Sequence, residues 1–283
     1  MPEIASVNGE ITAIEKAFVS INDRGFVFGD GVYEVIVSYR NKLFLFDEHI
    51  ERLRRSLRYV RMDYVDVEDI IAQIERAFDA ADMPRAKVYV QVTRGAARRN
   101  HVFPDPPVKP NVIVTVSEFP PVDEKLFEDG IACLTRADIR WGRVDIKTIN
   151  LLPNCLAKQE ALDNGCLEAI LIGEDGEVRE ATAANVFIVR KEKVITHPDN
   201  ERILCGITRN AVLALCHKAG YQVEERPAPL EEMMLADEVF LSGTTAEVMP
   251  VVRVDDQPIG KAKPGPVAAR LRQLFQAWIN TSS

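Results

Sequence analysis

Gly29-Asp30-Gly31-Val32-Tyr33-Glu34-Val35 is the segment from which the architecture of this 283-residue chain is most readily inferred. Gly25 precedes it, so glycine occurs three times within seven residues, directly before an apolar run. Because glycine tolerates backbone angles that other residues avoid, this spacing predicts tight turns and a close approach of neighbouring backbone. Residues 34–39 then predict a strand, and residues 43–46 predict a second strand after a turn at residues 40–42.

The remainder of the first third of the chain alternates helices and strands. Asp47 is the predicted cap of a helix whose apolar residues recur at steps of three and four, and Asp66 begins a second such helix. Valine alternates with other residues over Val88–Val92, and residues 111–117 are rich in valine and isoleucine. Both of these patterns predict strands, so this part of the chain predicts an α/β domain.

Residues 119–125, Phe-Pro-Pro-Val-Asp-Glu-Lys, are the predicted linker, because two prolines and three charges do not suit a core element. Beyond it the pattern has more strands per helix, and a length of 283 residues suits two domains. We therefore predict an α/β fold with α+β character, a smaller domain at 1–118 and a larger one at 126–283. The predicted strands of the larger domain are 131–135, 167–172, 185–190, 194–196 and 238–241, and its predicted helices are 151–164, 208–219 and 266–279.

Composition excludes several classes of protein. The chain has 43 acidic and 35 basic residues, and its formal net charge of −8 argues against a nucleic-acid binder. Residues 1–16 lack the pattern of a signal peptide, and no run approaches the roughly 18 apolar residues of a membrane span. The five cysteines are widely spaced without a Cys-x-x-Cys pair, which favours neither a disulfide framework nor a zinc site. We expect a cytoplasmic protein without a bound metal.

Two segments of the chain carry cations in settings that suit chemistry. Residues 94–101 concentrate three arginines and a histidine after a strand, and an arginine fork suits a carboxylate; a solvated basic loop is the alternative. Lys147 lies between Ile146 and Ile149, where an apolar setting favours the neutral amine that forms a Schiff base. A surface lysine that extends its ammonium group into water is the alternative there.

Three further segments could bind an anion or a polar ligand. Gly206-Ile207-Thr208 precedes a predicted helix, and a helix N-terminus is a natural phosphate site. Residues 242–245 follow a predicted strand and combine hydroxyl groups with a glycine, and residues 180–185 combine a glutamate with small residues. Each of these segments is a weak signal on its own.

Together and in this order, the segments resemble the fold-type IV aminotransferases that use pyridoxal 5'-phosphate, and within them the D-amino acid (D-alanine) aminotransferases. The resemblance runs from about Val7 to Phe275 and is sharpest at residues 29–35, 48–53, 145–147 and 157–161. It implies two domains with the cofactor in the cleft between them. It also implies transamination between a D-amino acid and a 2-oxo acid such as 2-oxoglutarate or pyruvate.

The resemblance also assigns cofactor-binding roles. Lys147 matches the lysine that bonds covalently to the cofactor and then moves a proton, and Glu180 matches the carboxylate that keeps the pyridine nitrogen protonated. Arg52 matches the guanidinium that binds the phosphate. The remaining matches are Ile207, Thr208 and Thr244 on the phosphate, and Leu204 on the face of the ring.

Tyr33, Arg99 and His101 match the residues that bind the substrate α-carboxylate in D-amino acid aminotransferases. In those enzymes the arginine and the histidine come from the partner subunit, so the resemblance implies a homodimer. Arg98 is an alternative to Arg99, which we prefer because side chains two residues apart on an extended segment point the same way. After Glu180 the chain reads Ala-Thr-Ala-Ala-Asn where relatives often have Gly-Ser-Ser-Ser-Asn, so methyl groups replace two hydroxyl groups.

Other functions remain open at this point. A branched-chain L-aminotransferase or an aminodeoxychorismate lyase of the same fold would share much of the cofactor site. The former usually has Phe-Glu-Gly where this chain has Tyr33-Glu34-Val35, and the latter typically has Phe in place of Tyr33. A catalytically idle scaffold would need none of Lys147, Glu180 and Arg52.

Overall fold

The computed structural model describes residues 3–281, which fold into two units. The first unit contains the chain as far as Pro120 together with Ile146–Asn150. The second contains Pro121–Asp145 and the chain from Leu151 onward. The domain ranges 1–118 and 126–283 stay predictions, and residues 1, 2, 282 and 283 lie outside the described part of the chain.

The first unit is built on a six-stranded antiparallel sheet in the order β2-β1-β6-β5-β3-β4. Val88, Val90 and Val92 of β5 are fully buried and share one core with apolar residues of α2 and α3. The elements are β1 (Ile4–Val7), β2 (Glu10–Ala13), α1 (Arg24–Phe28), β3 (Gly31–Tyr39), β4 (Lys42–Leu43), α2 (Phe46–Tyr59), α3 (Val67–Ala81), β5 (Ala86–Thr93) and β6 (Asn111–Glu118), with a 3-10 turn at Ile14–Lys16.

Two local predictions in this unit are wrong at the start of α2. The predicted strand at 43–46 ends at Leu43, because Leu45 has left-handed backbone angles (φ 52°, ψ 42°) that no strand accommodates. Leu45 also occupies the N-cap position of the helix. Asp47 therefore lies in the first turn, where its negative charge interacts favourably with the helix dipole. The prediction for α3 is confirmed, since the Asp66 carboxylate accepts from the amides of Glu68 and Asp69.

The second unit has a nine-stranded mixed sheet in the order β12-β11-β10-β13-β14-β7-β8-β9, with β15 beside β14. β7 runs parallel to both β14 and β8, and Phe187 stacks on Phe240 in the core with ring centroids 4.9 Å apart. The elements are α4 (Glu124–Asp129), β7 (Ile131–Ala137), α5 (Leu152–Asp163), β8 (Glu168–Ile172), β9 (Val178–Ala181), β10 (Asn185–Arg190), β11 (Lys193–Thr196), α6 (Ile207–Lys218), β12 (Gln222–Glu225), α7 (Leu230–Met234), β13 (Glu238–Gly243), β14 (Glu247–Val254), β15 (Gln257–Pro258) and α8 (Pro266–Thr281).

Helices and two sheets, one antiparallel and one mixed, confirm the predicted fold class of α/β with α+β character. The boundary between the two units lies between Pro120 and Pro121, inside the segment 119–125, whose role as a linker stays a prediction. Phe119 is buried under the Arg85 guanidinium, and Asp123 caps α4 by accepting from the amide of Lys125. Every helix within residues 3–281 is too short or too polar to cross a lipid bilayer.

Candidate active site

The glycine-rich turn of the first unit brings the segment 146–150 against β3. A Cβ atom on Gly29 would lie 2.2 Å from Asn150 Oδ1, and the Asn150 side chain donates to the Gly29 carbonyl at 3.0 Å. The amide of Tyr33 donates to the Lys147 carbonyl at 3.0 Å, and the amide of Ile149 donates to the Gly31 carbonyl at 3.2 Å. The predicted close approach of neighbouring backbone therefore serves to hold Lys147 beside Tyr33.

The side chain of Lys147 lies against an aromatic ring and follows a buried isoleucine. Ile146 is buried in the core of the first unit, and the Lys147 side chain is half-buried. Its Nζ atom lies 4.1 Å from the centroid of the Tyr33 ring, within the range of a cation–π contact. The backbone amide of Lys147 donates to Ser56 Oγ at 3.3 Å, which ties this segment to α2.

Arg52 belongs to a buried charged triad with Glu34 and His49. Its Nε and Nη2 atoms donate to the two carboxylate oxygens of Glu34, each at 2.7 Å, and His49 Nδ1 lies 2.8 Å from Glu34 Oε2. Burial alone would raise the pKa of Glu34, but Arg52 and His49 together lower it to about 2. Burial also lowers the pKa of His49, and the hydrogen bond to Glu34 opposes that shift.

The sequence analysis missed the roles of Glu34 and His49, although both residues lie in segments where the resemblance to the family is sharpest. The available signal was the i, i+3 spacing of His49 and Arg52, which puts both side chains on one face of α2. Their common partner Glu34 lies on β3, and sequence spacing alone does not reveal that contact.

Arg99 and His101 lie on the exposed loop that follows β5, and both approach the ring of Phe28 at the end of α1. The Arg99 guanidinium carbon is 5.2 Å from the Phe28 ring centroid, and the His101 ring centroid is 5.4 Å from it. The structure thus brings these two predicted residues together. Tyr33 lies on β3, with its ring 5.5 Å from that of Tyr89.

The other predicted cofactor residues lie in the second unit, where Glu180 has four hydrogen bonds. Its buried carboxylate accepts from Arg140 Nη1 at 2.6 Å and from Asn185 Nδ2 at 3.1 Å, and both oxygens accept from the Leu204 amide at 3.1 Å. Burial raises the pKa of Glu180, and the Arg140 guanidinium opposes that rise. The bonds to Glu180 therefore fix the backbone of Leu204, and the Leu204 side chain is half-buried.

Arg140 is a further residue of this site that the sequence predictions missed. Its Nε and Nη2 atoms donate to the two carboxylate oxygens of Asp138, at 2.9 and 2.8 Å, which aims Nη1 at Glu180. Although burial acts to lower the pKa of Arg140, the two carboxylates raise it, so this cation is permanent. The signal was an acidic and a basic residue two positions apart, directly after β7.

Ile207 and Thr208 form the first turn of α6, as predicted, and both are buried. The first amides of a helix have no acceptor within it, and they attract anions. Gly206 caps this helix without a side-chain bond, and a Cβ atom there would lie 2.1 Å from Asn185 Oδ1. Thr244 lies half-buried in the turn between β13 and β14.

Comparisons with known proteins agree on one family. The family model described as amino-transferase class IV matches residues 31–254. The chain is 39% identical over 278 residues to a D-alanine aminotransferase of Staphylococcus epidermidis, covering 98% of each chain. It is 41% identical over 271 residues to one of Bacillus licheniformis, covering 95% of this chain and 94% of that one. A branched-chain amino acid aminotransferase of T.th., crystallised with pyridoxamine 5'-phosphate, superposes with a TM-score of 0.90 at 29% identity, covering 99% and 95%.

Proposed function

The chain belongs to the class IV aminotransferase family, and from that premise we propose that it is a pyridoxal-phosphate-dependent D-alanine aminotransferase. It transfers the amino group of a D-amino acid to a 2-oxo acid such as 2-oxoglutarate or pyruvate. The observation that carries this proposal is the identity of 39–41% to D-alanine aminotransferases over nearly the whole of both chains. Tyr33, Arg99 and His101 support it, because they match the carboxylate-binding residues expected of a D-specific enzyme.

The residues present fit pyridoxal phosphate on two observations from the second unit. The first turn of α6 offers buried backbone donors beside Gly206, a position where a Cβ atom would collide with Asn185, and such a turn suits a phosphate group. Glu180 is a buried carboxylate supported by a cation, which suits a protonated ring nitrogen. The residues that would hold the cofactor are Lys147, Arg52, Glu180, Leu204, Ile207, Thr208 and Thr244.

Pyridoxal phosphate, when bound, supplies an electron sink for negative charge at the substrate Cα. Glu180 keeps a proton on the ring nitrogen, and Arg140 fixes the position of the Glu180 carboxylate. Lys147 would hold the cofactor through its amine, and that amine, once free, would carry a proton between the substrate Cα and C4′ of the cofactor. Arg52 binds the phosphate while Glu34 and His49 hold its guanidinium in one orientation.

Arg99 and His101 bind the substrate carboxylate together with Tyr33, and we propose that the first two do so across the interface of a homodimer. Exposed apolar side chains on the segments around them support an interface with a second copy, since large apolar patches mark such surfaces. The residues concerned are Phe18, Ile21, Phe26 and Val102, which are 79, 77, 75 and 71% exposed. We also propose a cytoplasmic location, because all five cysteines are free thiols.

The alternative of a branched-chain L-aminotransferase is favoured by one observation, the TM-score of 0.90 to such an enzyme. A direct assay separates the two functions: purified holoenzyme is given D-alanine or L-leucine with 2-oxoglutarate as acceptor, and formation of the corresponding oxo acid is measured. We expect turnover of D-alanine. Turnover of L-leucine with none of D-alanine would refute the proposed function.

A further inference from the structure

The loop that carries Arg99 and His101 is unusually long for a connection between neighbouring strands. It runs from residue 94 to residue 110, between β5 and β6, and within this span no helix or strand forms. Connections beyond about 12–15 residues without secondary structure are uncommon and often functional. Backbone bonds hold its start, where the amide of Arg24 donates to the Gly95 carbonyl and the amide of Ala97 donates to the Asn22 carbonyl. Side chains of the first unit contact the part of the loop beyond it.

Arg24, the first residue of α1, contacts the backbone of this loop at three successive residues. Its Nη1 atom donates to the carbonyl of Asn100 at 2.5 Å and to that of Val102 at 3.4 Å. Its Nη2 atom donates to the carbonyl of His101 at 3.4 Å. Arg24 is only 3% exposed, so these bonds form where water competes little for the donors.

Asp30 fixes the guanidinium of Arg24 in place. Arg24 Nε donates to Asp30 Oδ2 at 2.7 Å, and Arg94 Nε donates to the same oxygen at 2.9 Å. Arg94 is itself buried and donates to the carbonyls of Val60 and Arg61. If Arg24 is replaced by lysine, Asp30 therefore keeps Arg94 as a cationic partner. The substitution does not leave the Asp30 carboxylate without a counter-charge.

Phe28 connects the same cluster to the side chains of the loop. The Arg24 guanidinium carbon lies 4.8 Å from the Phe28 ring centroid, on which Arg99 and His101 also converge. Beyond them along the loop, Phe103 packs on Arg94, whose guanidinium carbon is 3.6 Å from the ring centroid. The loop is thus held on both sides of the Asn100–Val102 backbone.

We propose that Arg24 is a positioning residue for the substrate carboxylate. Fixed by Asp30, its guanidinium holds the backbone of Asn100–Val102 in the conformation from which Arg99 and His101 bind the α-carboxylate of an amino acid or a 2-oxo acid. The inference rests on the proposed function, in which these two residues contact that carboxylate. Arg24 itself touches neither the substrate nor the cofactor.

The test compares the holoenzyme variants Arg24→Lys and Arg58→Lys. The first keeps the charge but loses the planar fork, and the second makes the same chemical change on an exposed side chain of α2. For Arg24→Lys we expect KM for D-alanine and for 2-oxoglutarate to rise about 10- to 100-fold, with kcat changed less than about 3-fold. Amide hydrogen exchange of residues 98–103 should be faster. Arg58→Lys should match the wild type.

A donor without a carboxylate, (R)-1-phenylethylamine, separates positioning from a general loss of structure. Its half-reaction with Arg24→Lys should proceed at the wild-type rate, because it uses neither Arg99 nor His101. Equal losses for this amine and for D-alanine would overturn the proposal, as would an unchanged KM for both substrates.

Asp30→Asn provides a second variant if Arg24→Lys does not yield holoenzyme, since it leaves Arg24 in place and weakens its anchor, a carboxylate that Arg94 shares. The same rise in KM is expected there, and an unchanged KM would overturn the proposal. The KM for 2-oxoglutarate can be measured with either enantiomer of alanine as the amino donor, so it tests the role of Arg24 in both cases. If the wild-type enzyme does not use D-alanine, that result counts against the proposed function but not against the role of Arg24.

Discussion

The carboxylate of Glu180 owes its chemical state to the groups around it. We predict that Glu180→Gln retains the cofactor but slows transamination by on the order of 10²–10³, because a neutral amide does not keep the ring nitrogen protonated. Steady-state kinetics with D-alanine and the absorbance of bound cofactor provide the measurement. Glu174→Gln, on an exposed glutamate before the same strand, is the control. Near-normal turnover by Glu180→Gln would remove this residue from the mechanism.

Lys147 is the residue expected to bond to the cofactor, because it matches the lysine of the family and its ammonium group lies over the ring of Tyr33. Borohydride reduction of the holoenzyme should attach the cofactor irreversibly to this lysine, and peptide mapping identifies the labelled residue. Lys158, whose ammonium group is paired with Glu168 at 3.1 Å, serves as the internal control. A label on Lys158 would contradict the assignment.

Glu34 links stability to pH, since Arg52 and His49 hold its pKa near 2 against a usual value of 4.5. A lowered folded-state pKa contributes stability that is present above about pH 4.5 and is lost as the pH falls towards 2. Glu34→Gln should therefore lower the free energy of unfolding at pH 7 by about 3 kcal/mol. Denaturant titrations should show that this difference in the free energy of unfolding is smaller at pH 3. The control is Glu51→Gln at an exposed position on α2, which should change the free energy of unfolding little at either pH. A difference as large at pH 3 as at pH 7 would argue against the charged triad.

The start of α6 is where an element and the cofactor site depend on each other. Gly206 has an ordinary φ of −70°, so Gly206→Ala adds no backbone strain, but its Cβ would displace Asn185 from Glu180 and from the Leu204 carbonyl. Losing two hydrogen bonds predicts cofactor affinity lower by about 10-fold or more. Dialysis followed by titration with pyridoxal phosphate measures it. Gly142→Ala, where a Cβ meets nothing within 4 Å, is the control. Unchanged affinity would mean that Gly206 serves only the helix.

Strong local patterns in the sequence predicted most of the longer elements. Alternating valines predicted β5, and Asp66 predicted the start of α3, because each signal depends on neighbours in the chain. The start of α2 escaped prediction, since a leucine with left-handed backbone angles leaves no compositional signal. The short strand β9 (Val-Arg-Glu-Ala) also escaped, because it buries an arginine and a glutamate, and the partner Arg140 of that glutamate is 40 positions away.

The candidate site was predictable only through resemblance across the whole chain. Lys147 and Glu180 occur in segments that are individually weak, and their order along the chain indicated the family. Arg140 escaped because its partner Glu180 is 40 positions away, and no local pattern shows that contact. Arg24 escaped for the same reason, because it is 76 positions away in sequence from Asn100, whose carbonyl it contacts in the loop of Arg99.

The choice of enantiomer is a property of the whole molecule, because we propose that it depends both on the loop of Arg99 and His101 and on the residues expected to hold the cofactor. The most direct test of the proposed function is the ratio of kcat/KM for D-alanine to that for L-alanine, with 2-oxoglutarate as acceptor. Since the two donors differ only in configuration, the ratio reports on the geometry of the site alone. We expect a ratio of at least about 10² in favour of D-alanine. A ratio near one, or in favour of L-alanine, would contradict a D-specific site.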